Sequence, residues 1–337
     1  MYVYLLFTII IVSIVAIFDI TNKKLIYWFA TIFMCLFSGL RYGVGTDYYI
    51  YEFMFKTAKS TLIKNYDGDL GFLILSKLIS TFTNNTRIHF LIVSTIIVIF
   101  MMSYIYDNSN LKYMSVFLYI TICGYLGSFN VIRQWIAISI CAYSIKYIKK
   151  NKNIKYYIFM TIAYLFHSTA IVFIPMKFLL NLKWTKKTYL IIGGIGILLY
   201  LNINFFLNII YKFTRFDGYE NGYFTSVGAN IMFLIVFMFM FLFCYLNNGF
   251  LENKFNNIFL KLEFLGLVFL LIGTRGLIFN RMASYFNIAF IICIPEIIKR
   301  MKKKEKILWT YLIIISCLIY MLRLLSTNGN LIPYKII

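Results

Sequence analysis

The sequence predicts an all-α fold, a polytopic transmembrane bundle of about 10–11 helices with short re-entrant or interfacial segments. Hydrophobic residues make up 61% of the 337-residue chain, and charged residues make up only 13%. The mean hydropathy is +0.81, and a soluble domain cannot bury so much apolar surface. Apolar runs of spanning length recur along the chain. We therefore expect residues 1–337 to form a single integral membrane domain.

Five apolar runs in the first half are predicted to span the membrane: residues 1–20, 25–40, 89–106, 114–127 and 129–148. The first run lacks the basic start and the small-residue cleavage site of a signal peptide. Residues 70–82 are also apolar, but they fall short of the roughly 20 residues that a spanning helix needs. We expect this shorter piece to be interfacial or re-entrant.

The apolar segment 156–180 lies between two lysine clusters, so both of its ends are expected in the cytoplasm. It must then cross an even number of times, yet it is too short for two full spans at roughly 1.5 Å per residue. Two alternatives stay open. Either the segment enters the membrane and returns near His167 and Pro175, or one basic loop breaks the positive-inside rule.

The second half is predicted to add five spans: residues 189–210, 231–246, 260–273, 278–298 and 307–325. Residues 299–306 hold six basic residues and one acidic residue, which indicates a cytoplasmic loop. In residues 41–69, four basic residues balance four acidic ones, and residues 211–229 are polar and aromatic. We expect these last two segments to be extracytoplasmic loops, and the residues after 325 to form a short outer tail.

The formal net charge of +21 has two interpretations. The positive-inside rule explains most of the lysines as cytoplasmic loop residues that set the orientation. A basic surface also attracts anionic lipid headgroups or a pyrophosphate substrate. No soluble basic domain is evident, so we expect no nucleic-acid partner.

Metal and cofactor signals are weak in this sequence. Its six cysteines lie inside apolar runs without a CxxC pair, so we expect small core residues and not disulfides or metal ligands. Two histidines, His89 and His167, are too few for a histidine-based metal site. The nearest approach to a carboxylate pair, Asp67-Gly68-Asp69, is expected to be a turn. We expect no metal and no cofactor.

A charge at membrane depth costs roughly 2.5–3.5 kcal/mol, so an ionisable residue there is a functional candidate. Four arginines stand apart from the lysine clusters: Arg41, Arg133, Arg275 and Arg281. Guanidinium groups bind phosphate and carboxylate in a bidentate manner, so these arginines are candidates for an anion clamp. Each also has a structural interpretation. Arg41 could snorkel at a helix end, and Arg133 with Gln134 could bond a neighbouring carbonyl.

The remaining candidates also have two interpretations each. Asp47 suits catalysis and equally suits the cap of a helix that begins at Tyr48. His167 lies in an apolar run, where a lone histidine is more often a hydrogen-bonded core residue. Arg275 and Arg281 are six residues apart, so only a break in the helix would let both reach one cavity.

Four blocks of the sequence resemble the EpsG-type, Wzy-like polysaccharide polymerases. They are RYGVGTDYYIY at 41–51, FNVIRQ at 129–134, Phe166-His167-Ser168, and Arg281 with Tyr285-Phe286. The first two blocks are the specific ones. The resemblance covers roughly residues 1–298.

The resemblance implies a multi-pass glycosyltransferase of the bacterial cytoplasmic membrane that acts on its outer side. Its substrates would be oligosaccharide units linked to undecaprenyl pyrophosphate, joined into O-antigen, capsule or exopolysaccharide. Partners would include the lipid bilayer, a chain-length regulator and other polysaccharide-assembly proteins. Arginines would neutralise the departing pyrophosphate, and Asp47 or His167 would be the base.

The residues implied in this reaction fall into two groups. The catalytic residues would be Asp47, His167 and Arg133, and the substrate-binding residues would be Arg41, Tyr48, Tyr51, Gln134, Arg275, Arg281 and Tyr285. Two alternatives remain. One is a transporter or flippase of lipid-linked oligosaccharide, although inverted repeats are not visible. The other is a polysaccharide-modifying membrane acyltransferase with His167 as its base.

Overall fold

The computed structural model of the chain describes residues 1–63, 66, 68–122, 124–205, 231–327 and 329–336. Within these ranges the chain forms 15 α-helices and no strand, so the predicted all-α fold is confirmed. The predicted loop 211–229 and the last residues of the predicted span 189–210 lie outside the described residues.

Fifteen α-helices lie along the described ranges. In chain order they are α1 (Tyr2–Thr21), α2 (Lys24–Gly39), α3 (Tyr48–Thr57), α4 (Leu70–Phe82), α5 (Thr86–Asn108), α6 (Lys112–Thr121), α7 (Ile132–Lys149), α8 (Asn153–Phe166), α9 (Met176–Asn181), α10 (Lys186–Leu201), α11 (Ile231–Leu246), α12 (Ile258–Gly273), α13 (Leu277–Asn287), α14 (Phe290–Arg300) and α15 (Lys303–Thr327). The chain divides into two compact units, Met1–Ile174 with Lys302–Ile337, and Pro175–Met301.

In the described part of the chain, four helical stretches are long and apolar enough to cross a membrane: Tyr2–Thr21, Thr86–Asn108, Leu277–Arg300 and Lys303–Ser326. The third of these joins α13 and α14. Further apolar helices, including α2, α4 and α11, are shorter. These helices support a membrane protein, whereas the number of spans stays a prediction.

The short predicted piece 70–82 coincides with α4, which has 13 residues. At about 1.5 Å per residue such a helix is about 20 Å long, well below the hydrocarbon thickness of a bilayer of about 30 Å. A helix of this length cannot cross the membrane upright, which is the reason for the interfacial or re-entrant prediction.

The predicted span 114–127 is wrong at its end, because α6 stops at Thr121. Gly124 has a φ of 117°, and a Cβ at this position would lie 1.7 Å from Cζ2 of Trp135. Only glycine fits against the indole ring in that backbone conformation. The chain therefore turns here and continues into the 3-10 helix Gly127–Phe129.

Two other predicted runs are interrupted. Residues 278–298 form α13 and α14. A hydrogen bond of 3.0 Å from the N–H of Ala289 to the carbonyl of Phe286 closes the turn between the two helices. In residues 156–180, α8 ends at Phe166 and His167 is extended, with φ −162° and ψ 123°. The break lies near His167, where the first alternative expects the segment to turn back within the membrane. The path of the segment through the membrane stays a prediction.

Buried hydroxyl groups connect the helices of the first unit. The hydroxyl of Tyr27 donates to the carbonyl of Met102 at 2.7 Å, and that of Tyr125 donates to the carbonyl of Met34 at 2.6 Å. In an apolar interior these bonds satisfy groups that would otherwise be costly to bury. The hydroxyls therefore fix helix positions that apolar contacts alone would leave adjustable.

Gly39, the last residue of α2, allows a close approach to α5, and its replacement by alanine should destabilise the first unit. A Cβ there would lie 2.6 Å from Cα of Leu91, a backbone atom that cannot turn aside. Overpacking of this kind costs about 1–3 kcal/mol. The apparent Tm of the detergent-solubilised protein should therefore fall by several degrees.

Gly194→Ala in α10 is the matched control, because nothing lies within 4 Å of a Cβ at that position. Alanine also favours a helix by about 1 kcal/mol relative to glycine. An unchanged Tm for Gly39→Ala, or an equal loss in both variants, would contradict the close contact between α2 and α5.

Candidate functional site

The two specific sequence blocks, 41–51 and 129–134, are in direct contact in the first unit. The amide N–H of Thr46 donates to Oδ1 of Asn130 at 2.8 Å. Gly45 has a φ of 109°, and a Cβ there would lie 2.7 Å from both Asn130 Oδ1 and the carbonyl oxygen of Phe129. Glycine is thus required at position 45 by both conformation and space.

Arg41 is the buried anchor of this contact, with only 2% of its surface exposed. Its guanidinium donates to the carbonyls of Ser38 and Phe129 and to the hydroxyl of Ser94. It also lies over the rings of Phe129 and Phe90, at 4.4 and 5.3 Å. No described carboxylate forms an ion pair with it. Burial lowers the pKa of Arg41 to about 10, so the side chain stays charged at neutral pH.

Arg133 lies in a different environment, at the start of α7. Its Nη1 forms an ion pair with Oδ2 of Asp69 at 2.8 Å, and 32% of its side chain is exposed. Its positive charge also interacts with the phenol groups of Tyr51 and Tyr66. Burial raises the pKa of both phenols, and the charge of Arg133 opposes that rise. Arg133 is therefore a partly exposed cation beside a carboxylate and two hydroxyl groups.

Asp47 and Arg133 both act on the phenol of Tyr51. The pKa of Tyr51 is raised by burial, lowered by Arg133 and raised by Asp47. Asp47 occupies the N-cap position of α3, yet its side chain does not cap the helix and instead accepts from the hydroxyl of Thr46 at 3.0 Å. It takes part in none of the described ion pairs. The phenol of Tyr51 is thus influenced by both a carboxylate and a guanidinium.

Tyr48 and Tyr51, two of the predicted substrate-binding residues, are buried. Tyr48 is 1% exposed and stacks on Phe90 at 4.5 Å, and Tyr51 is 4% exposed. Tyr49 is 59% exposed. A ring that stacks on a sugar needs an open face, so Tyr49 is a better candidate for this contact than Tyr48. Gln134 is buried in α7.

His167 lies at the end of α8, close to the backbone that carries Asp69. A Cβ at Gly71 would lie 2.9 Å from the backbone carbonyl of Leu165, so these two segments touch. His167 is 7% exposed. Its Nδ1 accepts from the amide of Thr169 at 3.3 Å, which puts the proton of the neutral ring on Nε2. In this state the lone pair of the ring is already in use.

Arg275, Arg281 and Tyr285 belong to the second unit, Pro175–Met301. The guanidinium of Arg275 lies 4.2 Å from the ring of Tyr200, and it lines an open cavity of about 560 Å³ with residues 201–205. Arg281 is half-buried on α13, and Tyr285 is fully buried. Their role in the anion clamp stays a prediction.

Residues 329–336, which we name the C-terminal segment, pair with residues 40–47, which connect α2 to α3 and which we name the Arg41 loop. The amide of Tyr42 donates to the carbonyl of Lys335 at 2.9 Å, and the amide of Gly45 donates to the carbonyl of Asn330 at 3.0 Å. The ring of Tyr334 stacks on Phe37 at 4.2 Å, and its hydroxyl donates to the carbonyl of Phe37. Residues near the C-terminus therefore hold the Arg41 loop in position.

The sequence profile of the EpsG family matches residues 24–336. This chain belongs to the EpsG family. The match includes the C-terminal segment, and it confirms the resemblance drawn from the blocks at 41–51 and 129–134. No curated protein and no solved structure matches the chain at a significant level.

Membership in the EpsG family gives the chain a general role in polysaccharide polymerisation or biosynthesis. The apolar helices support the membrane location that such a role requires. The cluster around Arg133 suits an anionic group, because a partly exposed guanidinium can pair with phosphate oxygens. Two of its members, Asp69 and Tyr66, are not among the predicted site residues. The sequence places Asp69 in a turn, and Tyr66 carries no charge that would distinguish it.

The C-terminal segment should contribute measurably to the stability of this EpsG-family protein. Tyr334→Ala removes a stacked, partly buried ring and should cost about 2 kcal/mol, below the range for fully buried rings. Tyr334→Phe removes only a hydrogen bond and should cost about 1 kcal/mol or less. The apparent Tm in detergent should fall in that order.

Tyr311→Ala in α15 is the control, since Tyr311 is 64% exposed. If Tyr334→Ala lowers the Tm no more than Tyr311→Ala does, the C-terminal segment does not pack as described.

Proposed function

We propose that this chain is a polysaccharide repeat-unit polymerase of the bacterial cytoplasmic membrane, acting on its outer side. The donor is a growing glycan on undecaprenyl pyrophosphate, and the acceptor is a new lipid-linked oligosaccharide unit. The single observation that carries the proposal is the position of Tyr51, whose phenol interacts with both Arg133 and Asp47. A cation for a leaving pyrophosphate and a base for an acceptor hydroxyl are thereby held on neighbouring elements.

The reaction forms one glycosidic bond and breaks one bond to phosphate. The acceptor hydroxyl oxygen attacks the anomeric carbon of the donor sugar and transfers its proton to Asp47. The bond between that carbon and the pyrophosphate oxygen breaks, and the electron pair stays on the pyrophosphate. Negative charge grows on the leaving group during this step, so Arg133 stabilises the transition state more than the ground state.

Arg41 has a positioning role in this proposal. It is buried among carbonyls and rings, and it fixes the backbone of Phe129, four residues before Arg133. The same loop carries Asp47. A change at Arg41 would therefore displace both the cation and the base without removing either of them.

Asp47 is the proposed base, and His167 is a positioning residue. The carboxylate of Asp47 is half-exposed and takes part in none of the described ion pairs, so its lone pairs are accessible. The Nδ1 of His167 is occupied by the Thr169 amide. A base needs a free lone pair within reach of the proton it removes.

Arg133→Ala should abolish long polysaccharide while the protein still reaches the membrane at a normal level. Loss of a transition-state donor typically lowers a rate by about 100–1000-fold. Gel analysis of surface polysaccharide should show single repeat units, with lipid-linked units accumulating on the outer face. Arg87→Ala is the control, because Arg87 is exposed at the start of α5.

A second variant separates the role in catalysis from the role in folding. Arg133→Ala leaves Asp69 as an unpaired, mostly buried charge, which is destabilising in itself. The double variant Arg133→Gln with Asp69→Asn replaces the ion pair by a neutral one. Normal Tm without polymer supports the proposal. Full-length polymer in the double variant would mean that Arg133 has only a structural role. Accumulation of lipid-linked units on the cytoplasmic face would indicate a flippase.

The choice of base gives an independent prediction. Asp47→Asn should lower the polymerisation rate by about 100–10,000-fold, the range for loss of a general base. His167→Gln keeps an oxygen that can accept from the Thr169 amide, so most activity should remain. The measurement is polymer formed per unit time at matched protein levels. The opposite ranking would make His167 the base, and labelled acetyl transfer that depends on His167 would indicate an acyltransferase.

A further inference from the structure

A second group of reactive side chains lies inside the second unit, on three different helices. Cys244 is on α11, Glu263 on α12 and Cys293 on α14. One ligand atom from each side chain lies within 4.8 Å of the other two. The three residues are 0–1% exposed. The cluster therefore consists of two thiols and one carboxyl group in the interior of the second unit.

The carboxyl group of Glu263 is fully buried and has no charged partner among the described residues. Neither of its oxygens has a hydrogen-bond partner, and it takes part in none of the ion pairs found among the described residues. The groups that act on it are the thiols of Cys244 and Cys293. Such a carboxyl group is buried either in its neutral, protonated form or as a carboxylate whose charge a cation balances.

The nearest lysine in sequence does not supply that cation. Lys261 lies two residues before Glu263, so its side chain leaves the helix on a different face. Its ammonium group donates to the carbonyls of Leu180 and Leu182 at 2.9 and 2.7 Å. Lys261 is therefore not the ion-pair partner of Glu263.

We propose that Cys244, Glu263 and Cys293 bind a zinc ion that joins α11, α12 and α14. Zinc takes cysteine sulfur at about 2.3 Å and carboxylate oxygen at about 2.0–2.2 Å. Tetrahedral coordination at these lengths puts the ligand atoms about 3.5–3.8 Å apart. Inward movements of about 1 Å or less from the present spacing suffice.

The charge balance favours a divalent ion over copper(I). Binding releases one proton from each thiol, and the two thiolates neutralise Zn²⁺. The carboxylate then leaves one negative charge on the site, whereas a monovalent ion would leave two. The fourth position of the zinc remains for water. The inference does not depend on the proposed polymerase reaction, because all three ligands lie in the second unit and the reaction uses none of them.

The first test measures metal in the full-length protein, purified in detergent under reducing conditions. Elemental analysis should find about one zinc per chain, as for a single site with three protein ligands. Protein stripped by a chelator should bind Co²⁺ and show the thiolate-to-cobalt absorption of a tetrahedral site. Less than about a tenth of a zinc per chain, with no cobalt band, would overturn the proposal.

The second test identifies the ligands. Cys244→Ser with Cys293→Ser should remove at least about nine-tenths of the zinc, because hard hydroxyl oxygens replace both thiolates. Glu263→Gln should keep the thiolate band but release zinc faster to a chelator. Cys141→Ser is the matched control, since Cys141 is a buried free cysteine of the first unit. Full zinc content in the double variant would overturn the assignment.

Discussion

The burial of the Arg41 guanidinium is the constraint on which the first unit depends. An unpaired charge in an apolar interior must be compensated locally, because water is absent. Among the described residues Arg41 contacts neutral groups: carbonyls at Ser38 and Phe129, a hydroxyl at Ser94 and two aromatic faces. These groups come from the end of α2, from α5 and from the segment before α7. The charge can be buried only where these three segments meet.

Much of the candidate site follows from that meeting point. Phe129 is held by the guanidinium, and Asn130 next to it accepts from the Arg41 loop. This arrangement brings α3, which begins directly after Asp47, near the start of α7, where Arg133 lies. The two arginines therefore have different roles. Arg41 positions the backbone through contacts with neutral groups, whereas Arg133 forms an ion pair with Asp69 and keeps part of its side chain exposed.

Helices were predictable from the sequence where hydropathy alone decides, and contacts between distant residues were not. The limits of α4 and α11 follow from apolar runs that end at polar residues. The turn at Gly124 depends on the ring of Trp135, which no local pattern reveals. The pairing of Arg41 with Ile336 joins residues almost the whole chain apart. Hydropathy depends on a residue and its neighbours in sequence, so it cannot predict contacts between residues that are far apart in the chain.

The site residues divide in the same way. Asp47 was correctly placed at a helix start, because a short polar residue before an apolar-aromatic run is a local signal. The local sequence places Asp69 in a turn. Its ion pair with Arg133 joins residues more than sixty positions apart, so no local pattern predicts it. The exposure of the tyrosines also depends on neighbours from other helices, such as Phe90 against Tyr48.

Arg41 and Glu263 pose the same physical problem with opposite signs, and the fold can solve only the first with neutral groups. A guanidinium needs acceptors, and helix ends and turns leave backbone carbonyls free to serve. A carboxylate needs donors, and in the middle of a helix every backbone N–H is already bonded to a carbonyl. The polar groups near Glu263 include two thiols, which are weak donors but strong metal ligands once deprotonated. In the proposed site a zinc ion would hold the two thiolates and the carboxylate together, a contact that the helix backbone cannot supply.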